Sequence, residues 1–266
     1  MKLDFGWTPE SLSHLSYTEK LDFHAWSCYH LSDYSFTFLL GHLPKMKVVA
    51  VLNEKGGCGK TTIATNLARG LQLEGRDVML VDSDVQGSAR DWGAVDTETE
   101  KPAVVGMDRP TLHKDIPKVA EGSDVVVIDG AARAEKMQTS AIKASDLVLI
   151  PVQPSAYDIW SSETLVELVR ARQEVAGKPD AAFIVSRQIV GTNLAGEAQE
   201  ALESFDLPVL RGRTAQRVIY AEAASQGLSV LDVDPSSKAA GEIRQIVEDI
   251  LATLDLQTAR TNGTTG

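Results

Sequence analysis

Cysteine is close to absent from this chain: Cys28 and Cys58 are the only two in 266 residues. Two thiols, one of them inside a glycine-rich turn, make no disulfide framework and fit a reducing compartment. Long apolar runs are missing as well. The most hydrophobic stretches, such as 125–128 and 147–150, fall far below the roughly 20 residues that a membrane-spanning helix needs. Positive charge is in deficit, with 26 Lys and Arg against 37 Asp and Glu and a formal net charge of −11. That balance excludes a protein that coats nucleic acid with its whole surface, although a local basic patch is compatible with it. Aromatic residues are only 6% of the chain, and nine of the fifteen precede residue 46, together with four of the five histidines. The first 45 residues carry no helical or alternating period. They also lack the basic start, continuous apolar core and small-residue cleavage site of a secretory signal, and their histidines have no metal-ligand spacing.

At Met46 the character changes. Met46-Lys47-Val48-Val49 reads as a natural first strand, so residues 1–45 are expected to be an atypical extension, either an artefact of start-site choice or an accessory segment. Residues 46–255 are expected to form one large α/β domain, and 256–266, ending Thr-Asn-Gly-Thr-Thr-Gly, a disordered tail. Short apolar runs alternate with amphipathic stretches, which predicts a mainly parallel, twisted sheet with helices on both faces. Strands are expected near 47–53, 77–82, 103–107, 124–129, 147–151, 181–186 and 207–210. Helices are expected over 60–74, 87–95, 111–121, 134–145, 156–176, 193–205, 213–226 and 236–254. Tyr157 and Trp160 are expected to pack helix against sheet.

The first strand runs into Asn53-Glu54-Lys55-Gly56-Gly57-Cys58-Gly59-Lys60-Thr61-Thr62. A glycine-rich turn between a strand and a helix lets successive backbone N–H groups converge on a polyphosphate, so residues 56–62 are the candidate nucleotide cradle. Lys60 reaches the β- and γ-phosphates and the Thr61 hydroxyl ligates Mg²⁺. Two further elements end in acid at strand tips, where open α/β sheets bind ligands. One is Val78-Met79-Leu80-Val81-Asp82-Ser83-Asp84, and the other is Val125-Val126-Val127-Ile128-Asp129. The second has the form of a Walker B strand, whose acid contacts Mg²⁺ through water.

Where the usual loop begins with glycine this one has Glu54, followed at once by Lys55. Lys-Gly-Gly-x-Gly-Lys-Thr resembles the deviant Walker A motif of the ParA/MinD family of ATPases. Residues 127–131, 145–155 and 213–220 look like the small plasmid-partition ATPases of the ParF type. The resemblance implies the P-loop NTPase fold, ATP and Mg²⁺ as ligands, and a Lys55 that crosses a dimer interface to the partner's nucleotide. It also implies that Asp82 helps hold the Mg²⁺ shell and that Asp84 orients the attacking water, by analogy with the signature Asp-x-Asp-Pro-Gln-Gly. Here Val85 stands where the family often has proline, which leaves the rigidity of that turn unexplained. Further implications are an ATP-dependent homodimer or higher assembly, non-specific DNA binding, a cognate centromere-binding partner, and a cytoplasmic, nucleoid-associated protein with no membrane attachment.

Arg187, Arg211, Arg213 and Arg217 are candidates for the nucleotide base or a DNA-facing patch, because a planar guanidinium serves stacking, phosphate pairing and groove contact alike. A MinD-like membrane-site ATPase is a rival reading, opposed by Glu248, Asp249 and Asp255 where a basic amphipathic helix would be needed. A metabolic ATP-dependent ligase of the same fold is another. An iron–sulfur reductase is poorly supported by Cys58 alone, and a GTPase by the absence of Asn-Lys-x-Asp.

Overall fold

Val- and Ile-rich strands buried on both faces must be covered on both faces, which turns the intervening segments into crossover helices. The computed structural model describes residues 46–192 and 194–262; the expectations for residues 1–45 lie outside them. The strands are β1 (Lys47–Val51), β2 (Val78–Asp82), β3 (Ala103–Gly106), β4 (Val125–Asp129), β5 (Leu147–Val152) and β6 (Asp180–Val185). They form one parallel sheet in the order β3-β2-β4-β1-β5-β6. The helices are α1 (Lys60–Leu73), α2 (Ser88–Ala94), α3 (Leu112–Val119), α4 (Glu135–Ala144), α5 (Ala156–Trp160), α6 (Glu163–Ala176), α7 (Leu194–Glu203), α8 (Val218–Ser225), α9 (Val230–Val233) and α10 (Lys238–Asn262).

Period-two alternation sends Val49 and Val51 of β1 into one core, with Ile63 and Leu67 of α1, Tyr220 of α8 and Ile243 and Ile246 of α10. Val48 and Ala50 enter the other, with Ile116 of α3, Ile142 of α4, Val166 of α6 and Leu202 of α7. The register sets Val51, Asp82 and Asp129 side by side at the carboxyl ends of β1, β2 and β4. Gly130 allows this closeness: a Cβ there would lie 2.7 Å from the Val51 carbonyl oxygen and 2.3 Å from Leu52 Cδ2.

Several expectations are corrected. The helix expected over 156–176 is two helices, because Ser161 Oγ and Ser162 Oγ donate to the carbonyls of Asp158 and Ile159 (2.8 and 2.6 Å) and break the ladder. Tyr157 and Trp160 do not pack against the sheet. They are 77% and 64% exposed and stack edge to face on each other, centroids 5.5 Å apart, while buried Asp158 and Ile159 seat α5. The strand expected over 207–210 reduces to one parallel bridge, Phe183 to Val209, since Pro208 has no N–H to extend a ladder. The helix expected over 213–226 starts only at Val218. Residues 214–216 instead pair along the exit of β6, with Thr214 N donating to Val185 O and Gln216 N to Gln188 O, both at 3.0 Å. Helix α10 continues past 254 to Asn262, and residues 255–262 hold no glycine or proline to stop it. The short α9 was not expected; its signal was the capping box of Ser229 and Asp232.

Candidate functional site

The loop between β1 and α1 is held by side chains from three neighbouring strand ends. Buried Asn53 donates to the Pro151 carbonyl (2.8 Å) and accepts from Lys55 N (2.9 Å), fixing the loop entry to β5. Gln153 Nε2 and Arg187 Nη1 both donate to the Gly57 carbonyl at 3.0 Å, and Ser186 Oγ donates to the Cys58 carbonyl at 2.7 Å. Gly59 caps α1 at φ 94°, a left-handed conformation that a side chain would strain. Cys58 is fully buried beneath the loop, its thiol donating to the Lys55 carbonyl (3.3 Å). Burial pushes that thiol above its ordinary range, Lys60 opposing in part, so Cys58 shapes the loop rather than reacting.

The two lysines are engaged differently. Lys60, 8% exposed, turns back into its own loop and donates from Nζ to the Lys55 carbonyl at 2.9 Å. Lys55 Nζ instead leaves the loop to meet Asp158 Oδ2 at 2.6 Å. That carboxylate is 4% exposed, also accepts from Ser155 Oγ, and keeps Oδ1 buried without a hydrogen-bond partner among the described residues. Asp158 was missed in the sequence, although Ser155-x-x-Asp158 has the spacing of a helix N-cap.

Asp129 is 1% exposed, and among the described residues neither carboxylate oxygen meets a donor at hydrogen-bonding geometry. Its carboxyl is pushed up to about 7, chiefly by burial, with the Asp82 and Asp84 charges adding and Thr61 and Lys60 opposing. An orphaned carboxylate beside Thr61 at the mouth of a phosphate loop fits a divalent cation, which would supply the missing partner. Among the described residues no group of three or more His, Cys, Asp or Glu side chains is placed to hold a metal by itself. Mg²⁺ here would draw much of its shell from phosphate and water.

Asp82 is likewise buried, but its oxygens are occupied: Oδ1 accepts from Asp84 N (3.0 Å), and Oδ2 accepts from Arg90 N (2.9 Å) and faces Arg90 Nε at 3.4 Å. Asp84 is half-exposed and accepts the Gln86 amide on Oδ1 (3.0 Å). Arg90 was not a candidate in the sequence and has no motif to reveal it.

Beside the loop lies a cavity of about 220 Å³ walled by Gly59, Thr62, Arg187, Thr214, Arg217 and Tyr220, among others. Arg187 holds its place there at φ 52°, its amide donating to Thr214 Oγ1 (3.1 Å). Arg217 is turned to Glu242, which takes two donors from it (2.9 and 2.7 Å) and also accepts Tyr220 OH and Ala215 N. Burial and the Glu242 charge push the Tyr220 phenol well above its ordinary range. Arg211 and Arg213 lie outside the cavity lining. Arg211 pairs with Asp249 of α10 at 2.7 Å, and Arg213 donates to Gln199 of α7 at 3.4 Å.

Comparison with known proteins agrees with this geometry. Residues 49–259 match the model of the CobQ/CobB/MinD/ParA nucleotide binding domain. The chain is similar to the maintenance of carboxysome distribution protein A of Halothiobacillus neapolitanus, 32% identical over 212 residues covering 78% of this chain and 97% of that one. It is 28% identical to the chromosome-partitioning ATPase Soj of Thermus thermophilus over 78% of this chain and 96% of that one. Among solved structures it resembles MinD of Pyrococcus horikoshii complexed with Mg-ADP, with a TM-score of 0.63 and 19% identity over 77% of this chain and 96% of that one. A phosphate loop on β1, an acid on each of two neighbouring strand tips and a matched family model over most of the chain place this protein in the ParA/MinD family of nucleotide-binding proteins.

Proposed function

We propose that this chain is a Mg-dependent ATPase switch of the ParA type, which dimerises on ATP, binds DNA without sequence preference in that state, and lets go on hydrolysis. The observation that carries the reading is the split of the two loop lysines, Lys60 turned into the phosphate cradle and Lys55 turned out of it onto Asp158. A single-subunit phosphate site needs only the first. The second has the placement of a cation that a neighbouring subunit's nucleotide could claim.

In this reading the backbone N–H groups of residues 56–62 and Lys60 Nζ would hold the phosphates, and Thr61, with Asp82 and Asp129, would hold Mg²⁺. Mg²⁺, when bound there, would neutralise charge that builds on the transferred phosphoryl group. Asp84 orients the attacking water, and Asp82 fixes the turn that carries Asp84. Arg187 walls the base. Catalysis is by positioning and electrostatic stabilisation, without a covalent intermediate. The cargo would be a plasmid or chromosome reached through a centromere-binding partner. The match to carboxysome-distribution proteins favours a second cargo, a large particle, by the same switch.

The test is mass in solution and phosphate release, each with Mg-ATP, Mg-ADP and no nucleotide, and each with and without DNA. Dimer mass confined to Mg-ATP, with turnover, is expected. A monomer under every condition, or formation of a new amide product from a small acid, would refute the switch in favour of a ligase.

A further inference from the structure

We propose that Arg90 is the positioning residue of the hydrolytic turn, holding Asp84 in place where Val85 presets no backbone angle. The inference rests on the reading of Asp84 given under Proposed function.

Residues 84–87 form a β-turn closed by Gly87 N donating to the Asp84 carbonyl at 3.1 Å. Val85 is the second residue of that turn, the position at which a prolyl ring would preset φ. Valine supplies no such constraint. Nor does burial, because Val85 is 72% exposed and has no core to hold it. Something else must fix the carbonyls on either side of it.

Arg90, three residues past the turn, reaches back over it. Its Nη2 donates to the Asp84 carbonyl at 3.0 Å and approaches the Val85 carbonyl at 3.4 Å. From the other edge, Nε faces Asp82 Oδ2 at 3.4 Å, and the same oxygen accepts Arg90 N at 2.9 Å. One guanidinium thus ties the turn that carries Asp84 to the buried carboxylate at the tip of β2. A lysine could not reproduce this, since a point charge lacks the fork that addresses both edges at once. The path of the side chain is kept open by two glycines. A Cβ at Gly106, the end of β3, would lie 2.7 Å from Arg90 Cδ, and one at Gly87 would lie 2.9 Å from Nη2.

The experiment compares wild type, Arg90→Ala, Arg90→Lys, Gly106→Ala, Val85→Pro and Arg90→Ala/Val85→Pro by steady-state ATP turnover and by hydrogen exchange at the Gln86 and Gly87 amides. Arg90→Ala is expected to lower kcat roughly tenfold with KM for ATP within about twofold, because the phosphate loop that sets binding is untouched. Exchange at both amides should quicken. Arg90→Lys and Gly106→Ala should follow Arg90→Ala, and Val85→Pro in the Arg90→Ala background should restore most of the turnover and slow the exchange again. Unchanged exchange in Arg90→Ala overturns the proposal, as does a raised KM with unchanged kcat, which would make Arg90 a nucleotide ligand. If wild type hydrolyses no ATP, the ATPase reading fails. If Val85→Pro alone inactivates, exchange in Arg90→Ala and Gly106→Ala still decides whether Arg90 holds the turn.

Discussion

Lys55 and Lys60 stand in one loop, yet their ammonium groups have different duties, and substitution should separate them. Lys60 is buried in the cradle, donating to the Lys55 carbonyl and, more weakly, to Cys58 Sγ at 3.9 Å, so Lys60→Ala should abolish tight nucleotide binding, read by fluorescent-nucleotide titration. Lys55 is 39% exposed at its side chain and, among the described residues, its ammonium pairs with Asp158 alone, so Lys55→Ala should bind nucleotide in the monomer much as wild type does. It should nevertheless lose ATP-dependent dimer mass. Equal dimerisation and equal hydrolysis in Lys55→Ala would show that the lysine stays at home on Asp158.

Asp129 permits a prediction with a sign. Its folded-state pKa, about 7, lies above the unfolded value near 3.8, so the fold tolerates the neutral acid and is disfavoured by the carboxylate. Below pH ~4 both states are protonated and no penalty exists; between about 4 and 7 the unfolded chain ionises first and stability is lost. A shift of this size corresponds to something on the order of 4 kcal/mol. Asp129→Asn removes the penalty. Without nucleotide, the variant should therefore melt above wild type by a margin that widens from pH 5 to pH 8. With Mg-ATP the order should reverse, because the amide offers Mg²⁺ no charge. A margin that does not change with pH would show that the carboxylate already has a partner in solution.

At the scale of elements, the extended 213–217 segment is held to α10 through one carboxylate. Glu242 accepts Arg217, Tyr220 and the Ala215 amide together, and this places the far wall of the cavity beside Gly59. Glu242→Ala should destabilise the domain by about 1–3 kcal/mol, as expected for stranding partly buried donors. It should also weaken nucleotide binding more than it changes turnover of bound ATP. Unaltered affinity would place the nucleoside elsewhere. This wall was the part of the site least legible in the sequence. The phosphate loop, Asp82, Asp84 and Asp129 could be read because local order, an apolar run then glycine or acid, dictates their place at strand tips. Asp158 and Arg90 act across the fold or back over a turn, and residue type alone did not mark them. Pro208 and the serine pair Ser161-Ser162 were visible punctuation, but their effect depended on where neighbouring carbonyls lay.

At the scale of the whole molecule, a net charge of −11 stands against a proposed affinity for DNA. The structure sharpens that conflict, because several candidate cations are already engaged. Arg211 is paired with Asp249 and Arg217 with Glu242. Arg187 is bent toward the loop and donates to Gly57. Arg211 is nonetheless 74% exposed at its side chain, and although Asp249 beneath it is only 6% exposed, that carboxylate also accepts Gly212 N and Gln245 Nε2, so it keeps donors when the guanidinium turns to a phosphate. A monomer should therefore bind duplex poorly, while a dimer doubles a modest basic surface and leaves most of the acidic surface turned away. Binding should require Mg-ATP and vary little between unrelated duplexes. It should fall steeply with salt, since each neutralised phosphate releases counterions. Arg211→Ala should flatten the salt slope by about two per dimer, one contact from each subunit, with nucleotide binding unaffected. Anisotropy on two duplexes at several salt concentrations, with ATP, ADP and no nucleotide, reads all of this. Binding that ignores nucleotide, or that prefers one duplex strongly, would separate DNA contact from the switch. An unchanged slope in Arg211→Ala would move the DNA face away from the exit of β6 and α10.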